Sequence, residues 1–556
     1  MEKKLTQAIK TLCYTLTGVL TVSGTPQQMF AENASLPYWK DIQTVSVNRE
    51  APRSAFMTYA DKTQALTGKY ENSPYYELLN GTWKFYYTDS YLNLPADITS
   101  PETSTDGWHD IKVPGNWEVQ GFGTAIYTNH GYEFQPRNPQ PPLLPEKNPV
   151  GVYRRDITVP SEWKGRDIYL HIAGAKSGCY VYLNGKEVGY NEDSKNPAEY
   201  LINDYLKEGN NVLTLKIFRW STGSYLECQD FWRISGIERD VFLYSQPKAS
   251  VQDFRITSTL DDSYTNGIFR LDMELKNHRT QTAGLSVSYE LLDSKGKVVA
   301  SGEQASEVLP GKEGTVSFSK ELPEVQTWTS EAPNLYKLLM TVKENGKVTE
   351  VIPYHVGFRR IEIKEIDQKA ANGKNYHVLF INGQPLKLKG VNMHEHNPLT
   401  GHYVSEELMR KDLELMKRNN INTVRLCHYP QDRRFYELCD EYGLYIYDEA
   451  NIESHGMYYS LSKGGTLGNN PEWLKPHLYR VQNMFERNKN YPSVTFWSLG
   501  NEAGNGYNFY EAYLWVKQAD KGLMDRPVNY ERAQWEWNSD TVSYTHLRAH
   551  ETVLDL

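Results

Sequence analysis

Cysteine is scarce, five residues in a chain of 556. Cys13 falls in the leading segment, and Cys179, Cys228, Cys427 and Cys439 are scattered through the body. That number is too small for a disulfide scaffold, and no pair has metal-ligand spacing. Cys427 and Cys439 flank a helix-like segment and are expected as buried thiols. Positive charge is not in excess. Lys and Arg total 60 against 69 Asp and Glu, a formal net charge of −9. With no basic run carrying interleaved aromatics, the chain does not read as a nucleic-acid binder. Beyond the leading segment no stretch reaches the roughly 18 apolar residues that cross a bilayer, so no membrane span is expected.

What is plentiful is tyrosine, 40 residues, with 13 tryptophans. Aromatic rings stack on sugar faces, but they also fill cores and strands, so composition adds only slight weight to a sugar partner. The length suits three or four domains. Residues 1–31 carry Lys3, Lys4 and Lys10, a mildly apolar run from Leu12 to Val22, and small residues at Gly24 and Ala31. This resembles a secretory signal peptide and predicts a periplasmic or secreted protein.

Residues 32–247 are strand-and-turn text. Runs such as 167–172, 179–185 and 211–217 are rich in β-formers, and Asn184-Gly185 is a hairpin turn signal. An antiparallel sandwich is expected. Residues 248–357 continue in β-rich alternation, at 285–291 and 314–318, with turns at 293–296 and 310–311. About a hundred such residues suit an immunoglobulin-like β-sandwich, read here as a spacer.

From residue 358 strands alternate with helices. The stretch YPSVTFWSLGNEAGNGYN, 491–508, reads as a strand ending in Gly500-Asn501-Glu502. Three earlier runs, 386–396, 423–429 and 444–456, also finish in His, Asn or Glu. In a parallel α/β barrel such ends converge on one face, where catalysis occurs. A Glu there handles a proton while an Asn beside it bonds a substrate hydroxyl. Ser405 opens a helix with a capping-box-like start, whose apolar side is assigned to Leu408, Leu413, Leu415 and Met416. Helices follow at 432–442, 471–487 and 508–519, with a fifth strand at 526–531, giving about five βα units.

The motifs NMHEHNP, RLCHYP, DEANIESHGM and WSLGNEAG, in this order, resemble the glycoside hydrolase family 2 β-galactosidases, the large bacterial lactose-splitting type. The likeness covers roughly residues 39–540 and includes VPGNWEVQGFGTAIYTN and RWSTGSYLECQDFWRISGIERDVFLY. It implies a jelly-roll sugar-binding domain over 32–247, the immunoglobulin-like sandwich over 248–357, and the N-terminal part of a (β/α)8 TIM barrel over 358–540. It also implies hydrolysis of terminal β-D-galactose by a retaining double displacement, with lactose or an oligosaccharide as substrate. Glu502 would be the acid/base, needing a raised pKa. His394 and His428 would steady the transition state through sugar hydroxyls, and Asn129, Asp230 and Asn501 would contact substrate. Glu453, His455 and Glu502 would bind Mg2+, with waters completing an octahedron. Asp230 would also help hold Na+. Glu395 and His396 stand beside these residues without an assigned role. The full-length protein is expected as a homo-oligomer.

Retention needs a second carboxyl group about 5 Å from the first. In this family that nucleophile lies beyond the acid/base, in a motif reading like C-E-Y-x-H-A-M-G-N. Residues 503–556 contain nothing similar. The resemblance fails near Asp540, and residues 541–556 read as a non-native tail. The expectation is therefore a chain that is itself inactive, with the open edges of a five-stranded part-barrel. Two alternatives stand beside the galactosidase reading. One is a catalytically dead sugar-binding or scaffold fragment that keeps Asn129 and Asp230; the other is a β-glucuronidase of the same family, whose branch the motif set fits less well.

Overall fold

The computed structural model describes residues 36–369, 373, 375–457, 465–534 and 536–541. The leading segment read as a signal peptide lies outside the described residues, as does all of the expected tail except Thr541.

The first β-rich region is a two-sheet antiparallel sandwich. One sheet has seven strands, in the order Ser46–Val47, Lys186–Asn191, Gly178–Leu183, Asn210–Phe218, Val150–Thr158, Gly81–Thr88, His109–Val113. The other has four: Ala198–Leu201, Asp167–Ile172, Val241–Gln246 and Tyr76–Leu78. Side chains of period two fill the space between them. In Gly81–Thr88, Trp83 and Phe85 are buried while Thr82 and Lys84 are exposed. Trp83, Phe85, Leu215, Leu170 and Leu243 join one core drawn from both sheets. Each such large side chain contributes roughly 1.5–3 kcal/mol by leaving water. The Asn184-Gly185 turn has φ of 53° and 80°. Both are left-handed, as a two-residue type I′ hairpin requires, and Leu183 pairs with Lys186 across it.

The second region is a sandwich of three strands, Ala249–Leu260, Gly267–Asn277 and Glu313–Leu322, on four, Val298–Val308, Ala283–Leu292, Tyr336–Glu344 and Lys347–Val356. Phe254, Leu271 and Met273 meet Val287, Leu338 and Met340 in its core. Seven antiparallel strands in two sheets are the immunoglobulin-like arrangement.

A short antiparallel hairpin, Ile361–Lys369 with Asn375–Ile381, leads into the third region. There β1 (Gly390–Met393), β2 (Thr423–Leu426), β3 (Tyr445–Glu449), β4 (Val494–Ser498) and β5 (Val528–Asn529) form one parallel sheet in sequence order. Helices α1 (Glu406–Arg418), α2 (Arg433–Tyr442), α3 (Leu474–Asn488) and α4 (Tyr507–Asp520) alternate with them. This is the progression of a TIM barrel through its fifth strand. All five residues of β3 and of β4 are buried, as strands covered on both faces require.

Several local expectations need correction. Ser405 caps α1 by accepting the Leu408 N–H, but the residue that would complete a capping box is Leu408 itself, so the cap is one-sided. Leu415 is 60% exposed. It stands two residues from buried Leu413, about 200° around the helix, and so faces away from the core. The fifth strand is only Val528–Asn529. Arg526 is clamped by buried Asp520 at 2.7 Å, Pro527 has no N–H to give, and Glu531–Ala533 turns into 3₁₀ helix. α2 ends at Gly443, whose φ is 73°, and a β-carbon there would lie 2.7 Å from the Ser330 carbonyl oxygen. Only glycine satisfies both the backbone and the contact.

Candidate active site

The barrel strands end at or just before their polar residues. β1 ends at Met393, β2 at Leu426 and β4 at Ser498, with Met393 opposite Leu426 and Ser498 opposite both Glu449 and Asn529. This register brings His394, His428, Glu449, Asn501, Glu502 and Glu531 to one end of the sheet. The loop after β3 is laced to its surroundings by main-chain bonds. Asn501 N–H donates to the Ile452 carbonyl at 2.9 Å, Glu453 N–H to Leu226 at 2.7 Å, and Cys228 N–H to Glu453 at 3.0 Å. Residues 226–228 belong to the first sandwich, so that domain is stitched to the barrel at Glu453.

The same loop carries Asp230. Its carboxylate accepts from Tyr127 Oη at 2.6 Å and from Asn129 Nδ2 at 2.9 Å. Phe231, next in the chain, stacks between the His394 and His402 imidazoles at 4.4 and 4.2 Å. The His130 ring, beside Asn129, stands 5.4 Å from the His455 ring. The first domain's Asn129 and Asp230 are thereby held beside the strand ends. Glu395, left without a role above, takes a two-point contact from buried Arg239 at 3.2 and 2.7 Å. It ties the sandwich to the barrel, while His396 is exposed and assigned nothing.

At the strand ends the charges are paired. Glu449 is fully buried, accepts both prongs of Arg425 at 2.8 and 2.9 Å, and lies 2.6 Å from His428 Nδ1. Burial alone would raise its pKa, but Arg425 and His428 outweigh this and hold it at about 2. Asn501 is wedged between Arg425, which donates to its Oδ1 at 3.0 Å, and Glu453, which accepts from its Nδ2 at 3.1 Å. Burial, with His428 nearby, holds His394 down to about 3 and keeps it neutral. Burial also lowers His428.

Glu502 stands 3.0 Å from His455 Nδ1 through one carboxylate oxygen and 2.9 Å from Arg532 through the other. Its backbone φ is 38°, a left-handed conformation rare outside glycine. Ligand atoms of Glu453, His455 and Glu502 lie within 4.8 Å of one another. Glu453 is pushed well up by burial, with Glu502 adding to the effect, and its Oε1 is buried without a hydrogen-bond partner among the described residues. Two carboxylates and an imidazole with an orphaned oxygen fit a hard divalent cation. Asp230, expected as a sodium ligand, has its carboxylate engaged by Tyr127 and Asn129.

Sequence reasoning missed Glu449, Arg425, Phe231, Glu531 and Arg532. Glu449 and Phe231 lie inside the DEANIESHGM and CQDFW motifs, and Glu531 ends the fifth-strand run. Their contacts depend on register and domain docking, which spacing does not reveal. Two clefts among the described residues, one of them lined by Arg53, His171, Glu199 and Arg433, hold none of the expected site residues. The candidate site is instead the strand-end face covered by the first domain's loop.

A barrel face that gathers Glu, Asn and His side chains at its strand ends, under a β-sandwich, is the arrangement of the multidomain glycoside hydrolases. Comparison narrows this. The sugar binding domain of glycosyl hydrolases family 2 matches residues 76–247, a second model of that family 249–359, and its TIM barrel domain 374–553. Similar curated proteins include the β-galactosidases of Priestia megaterium and Vibrio cholerae, each 38% identical over 504 residues. These alignments cover 89% of this chain, and 47% and 46% of the respective relatives. The β-galactosidase of Streptococcus thermophilus is 36% identical, covering 93% and 49%. Among solved structures, the Bacteroides uniformis β-glucuronidase superposes with a TM-score of 0.67 at 20% identity, covering 82% of this chain and 52% of that one. That likeness shows the fold. The chain belongs to glycosyl hydrolases family 2, and it spans about half the length of the curated relatives it matches.

Proposed function

We propose that this protein hydrolyses terminal non-reducing β-D-galactose residues by a retaining double displacement, with Glu502 as acid/base. The observation that carries the reading is the strand-end constellation itself: Glu502 held between His455 and Arg532, beside Asn501, on the face toward which Asn129 and Asp230 project. The curated relatives, at 36–38% identity, are β-galactosidases and support galactose as the sugar. The solved Bacteroides uniformis β-glucuronidase resembles this chain in fold, at 20% identity.

In this account Glu502 protonates the departing oxygen and later takes a proton from the incoming water. One oxygen of its carboxylate accepts from Arg532 at 2.9 Å, and the other lies 3.0 Å from His455 Nδ1. Asn501, with one amide hydrogen and one lone pair committed within the site, keeps the others for the hydroxyl beside the anomeric carbon. His428 presents Nε2, since Nδ1 is taken by Glu449. His394 likewise presents Nε2, since Nδ1 is bonded to the Tyr429 hydroxyl. Glu453, His455 and Glu502 would hold Mg2+, which when bound would supply positive charge at the edge of the sugar site. Double displacement also requires a nucleophilic carboxylate on the other side of the anomeric carbon, a role given to no described residue. Sugar binding without turnover is therefore the second reading for the chain alone. Export rests on the leading segment and homo-oligomeric assembly on the family resemblance.

The test is hydrolysis of aryl β-galactoside against aryl β-glucuronide by the gene's full-length product, with galactose binding by this chain measured calorimetrically. Preferred cleavage of the galactoside is expected. Preference for the glucuronide would overturn the assignment.

A further inference from the structure

Three soft donors stand together at the ends of β1 and β2. Cys427 follows β2 directly, His428 is the next residue, and His394 follows β1. Cys427 Sγ and one nitrogen of each imidazole lie within 4.8 Å of one another. β1 and β2 are paired neighbours, with Met393 opposite Leu426, so the sheet itself sets this spacing. The two imidazoles are 5.6 Å apart and nearly perpendicular, at 85°. Each ring has one nitrogen engaged by a partner. His428 Nδ1 is bonded to Glu449 at 2.6 Å and His394 Nδ1 to the Tyr429 hydroxyl at 3.2 Å, leaving Nε2 on each ring. A carboxylate behind an imidazole is the arrangement that orients metal-ligating histidines and makes them better donors.

We propose that His394, Cys427 and His428 form a binding site for a thiophilic divalent ion, Zn2+ foremost, separate from the Glu453–His455–Glu502 cluster. Two imidazoles, one thiolate and an open fourth position are a donor set zinc accepts. A tetrahedron built on zinc bond lengths has edges of about 3.3–3.7 Å, so adjustments of about 1 Å close the set. An imidazole whose Nδ1–H is held by a carboxylate, as His428 is by Glu449, carries its lone pair on Nε2. Burial raises the Cys427 thiol to about 12, so it is protonated until an ion displaces the proton. On binding, the zinc–sulfur bond forms, the S–H proton leaves to water, and no electron changes hands. Magnesium prefers oxygen ligands and does not compete. An ion lodged here takes the lone pairs of His394 and His428 away from a sugar hydroxyl. That consequence rests on the role proposed for these residues above; the binding does not.

The experiment uses the purified full chain, Co2+ as the spectroscopic substitute for Zn2+, and Mg2+ in excess. One equivalent of Co2+ should produce a near-ultraviolet thiolate-to-cobalt band that added Zn2+ abolishes. The band should be lost in Cys427→Ser and kept in Cys13→Ser and Cys179→Ser. Because a buried substitution can itself unfold the chain, X-ray absorption of the Zn2+-loaded unaltered protein is the second measurement. It should show one sulfur at about 2.3 Å and two nitrogens at about 2.0–2.1 Å. A first shell without sulfur, or a band that survives in Cys427→Ser, overturns the proposal.

Discussion

The backbone N–H of Glu502 donates to the Glu531 carboxylate at 2.8 Å, across the gap between the ends of β4 and β5. Arg532, the next residue, lies 2.8 Å from Glu531 and 2.9 Å from the Glu502 carboxylate. Glu502 therefore has its main chain and its side chain fixed by one two-residue segment, in a left-handed conformation that costs of order 1–3 kcal/mol for a residue with a side chain. Glu531→Leu should leave that amide unpaired and lower stability by about 1–3 kcal/mol. Glu531→Gln keeps a carbonyl acceptor and should lose less. Denaturant unfolding of both variants checks the difference; equal losses would count against the acceptor role.

Glu449→Ala should be among the most damaging single changes at the strand ends. It removes the buried carboxylate that takes both prongs of Arg425 and releases His428 Nδ1. Removing one member of a buried ion pair typically costs about 3–5 kcal/mol. Urea unfolding measures the loss, and a shift below about 1 kcal/mol would contradict the network's importance.

Phe231→Ala should weaken the contact between the sandwich loop and the barrel. The ring stacks on two imidazoles and is buried, so a loss of about 3–5 kcal/mol is expected. Galactose binding should fall with it, because Asp230 precedes Phe231 directly. Calorimetry on a variant shown to be folded separates the two effects.

Asp440 should contribute a fall in stability as pH rises from about 4 to about 8. Asp440, buried in α2 and accepting the Ser493 N–H at 2.7 Å, is pushed up to about 8 by burial. A carboxyl whose folded pKa exceeds its unfolded value keeps its proton in the folded state after the unfolded chain has released it. Its stabilising contribution is complete below the unfolded pKa and is lost through the folded one, at no more than about 1.4 kcal/mol per pH unit. Glu449 acts oppositely: held at about 2, it stabilises above its unfolded pKa and loses that contribution as pH falls toward 2. Asp440→Asn, which keeps an acceptor for Ser493, should flatten the slope between pH 5 and 8. An unchanged slope in chemical denaturation across that range would refute the assignment.

The sequence carried the architecture because alternation of period two, the Asn184-Gly185 turn and the strand–helix rhythm after residue 358 are local signals. Strand ends were equally legible. His394, His428, Asn501 and Glu502 each follow a β-rich run, and the parallel register places them at one end of the sheet. What surrounds them was not. Glu449 meets Arg425 only because β2 and β3 are neighbours, and Phe231 reaches His394 only when the first sandwich docks. Arg532 and Glu531 reach Glu502 because β5 stops after two residues. Leu415 is apolar in the sequence, but its angle around the helix turns it to solvent.

The central claim is that Glu502 is the acid/base of a retaining β-galactosidase. The direct measurement is aryl β-galactoside hydrolysis by the gene's full-length product and its Glu502→Ala variant, with and without azide. Removing a general acid/base should lower the rate by about 10²–10⁴-fold. Azide, which needs no proton removed, should restore turnover by attacking the glycosyl–enzyme intermediate and yield the β-galactosyl azide. An undiminished rate in Glu502→Ala, or an azide product of inverted configuration, would contradict the account.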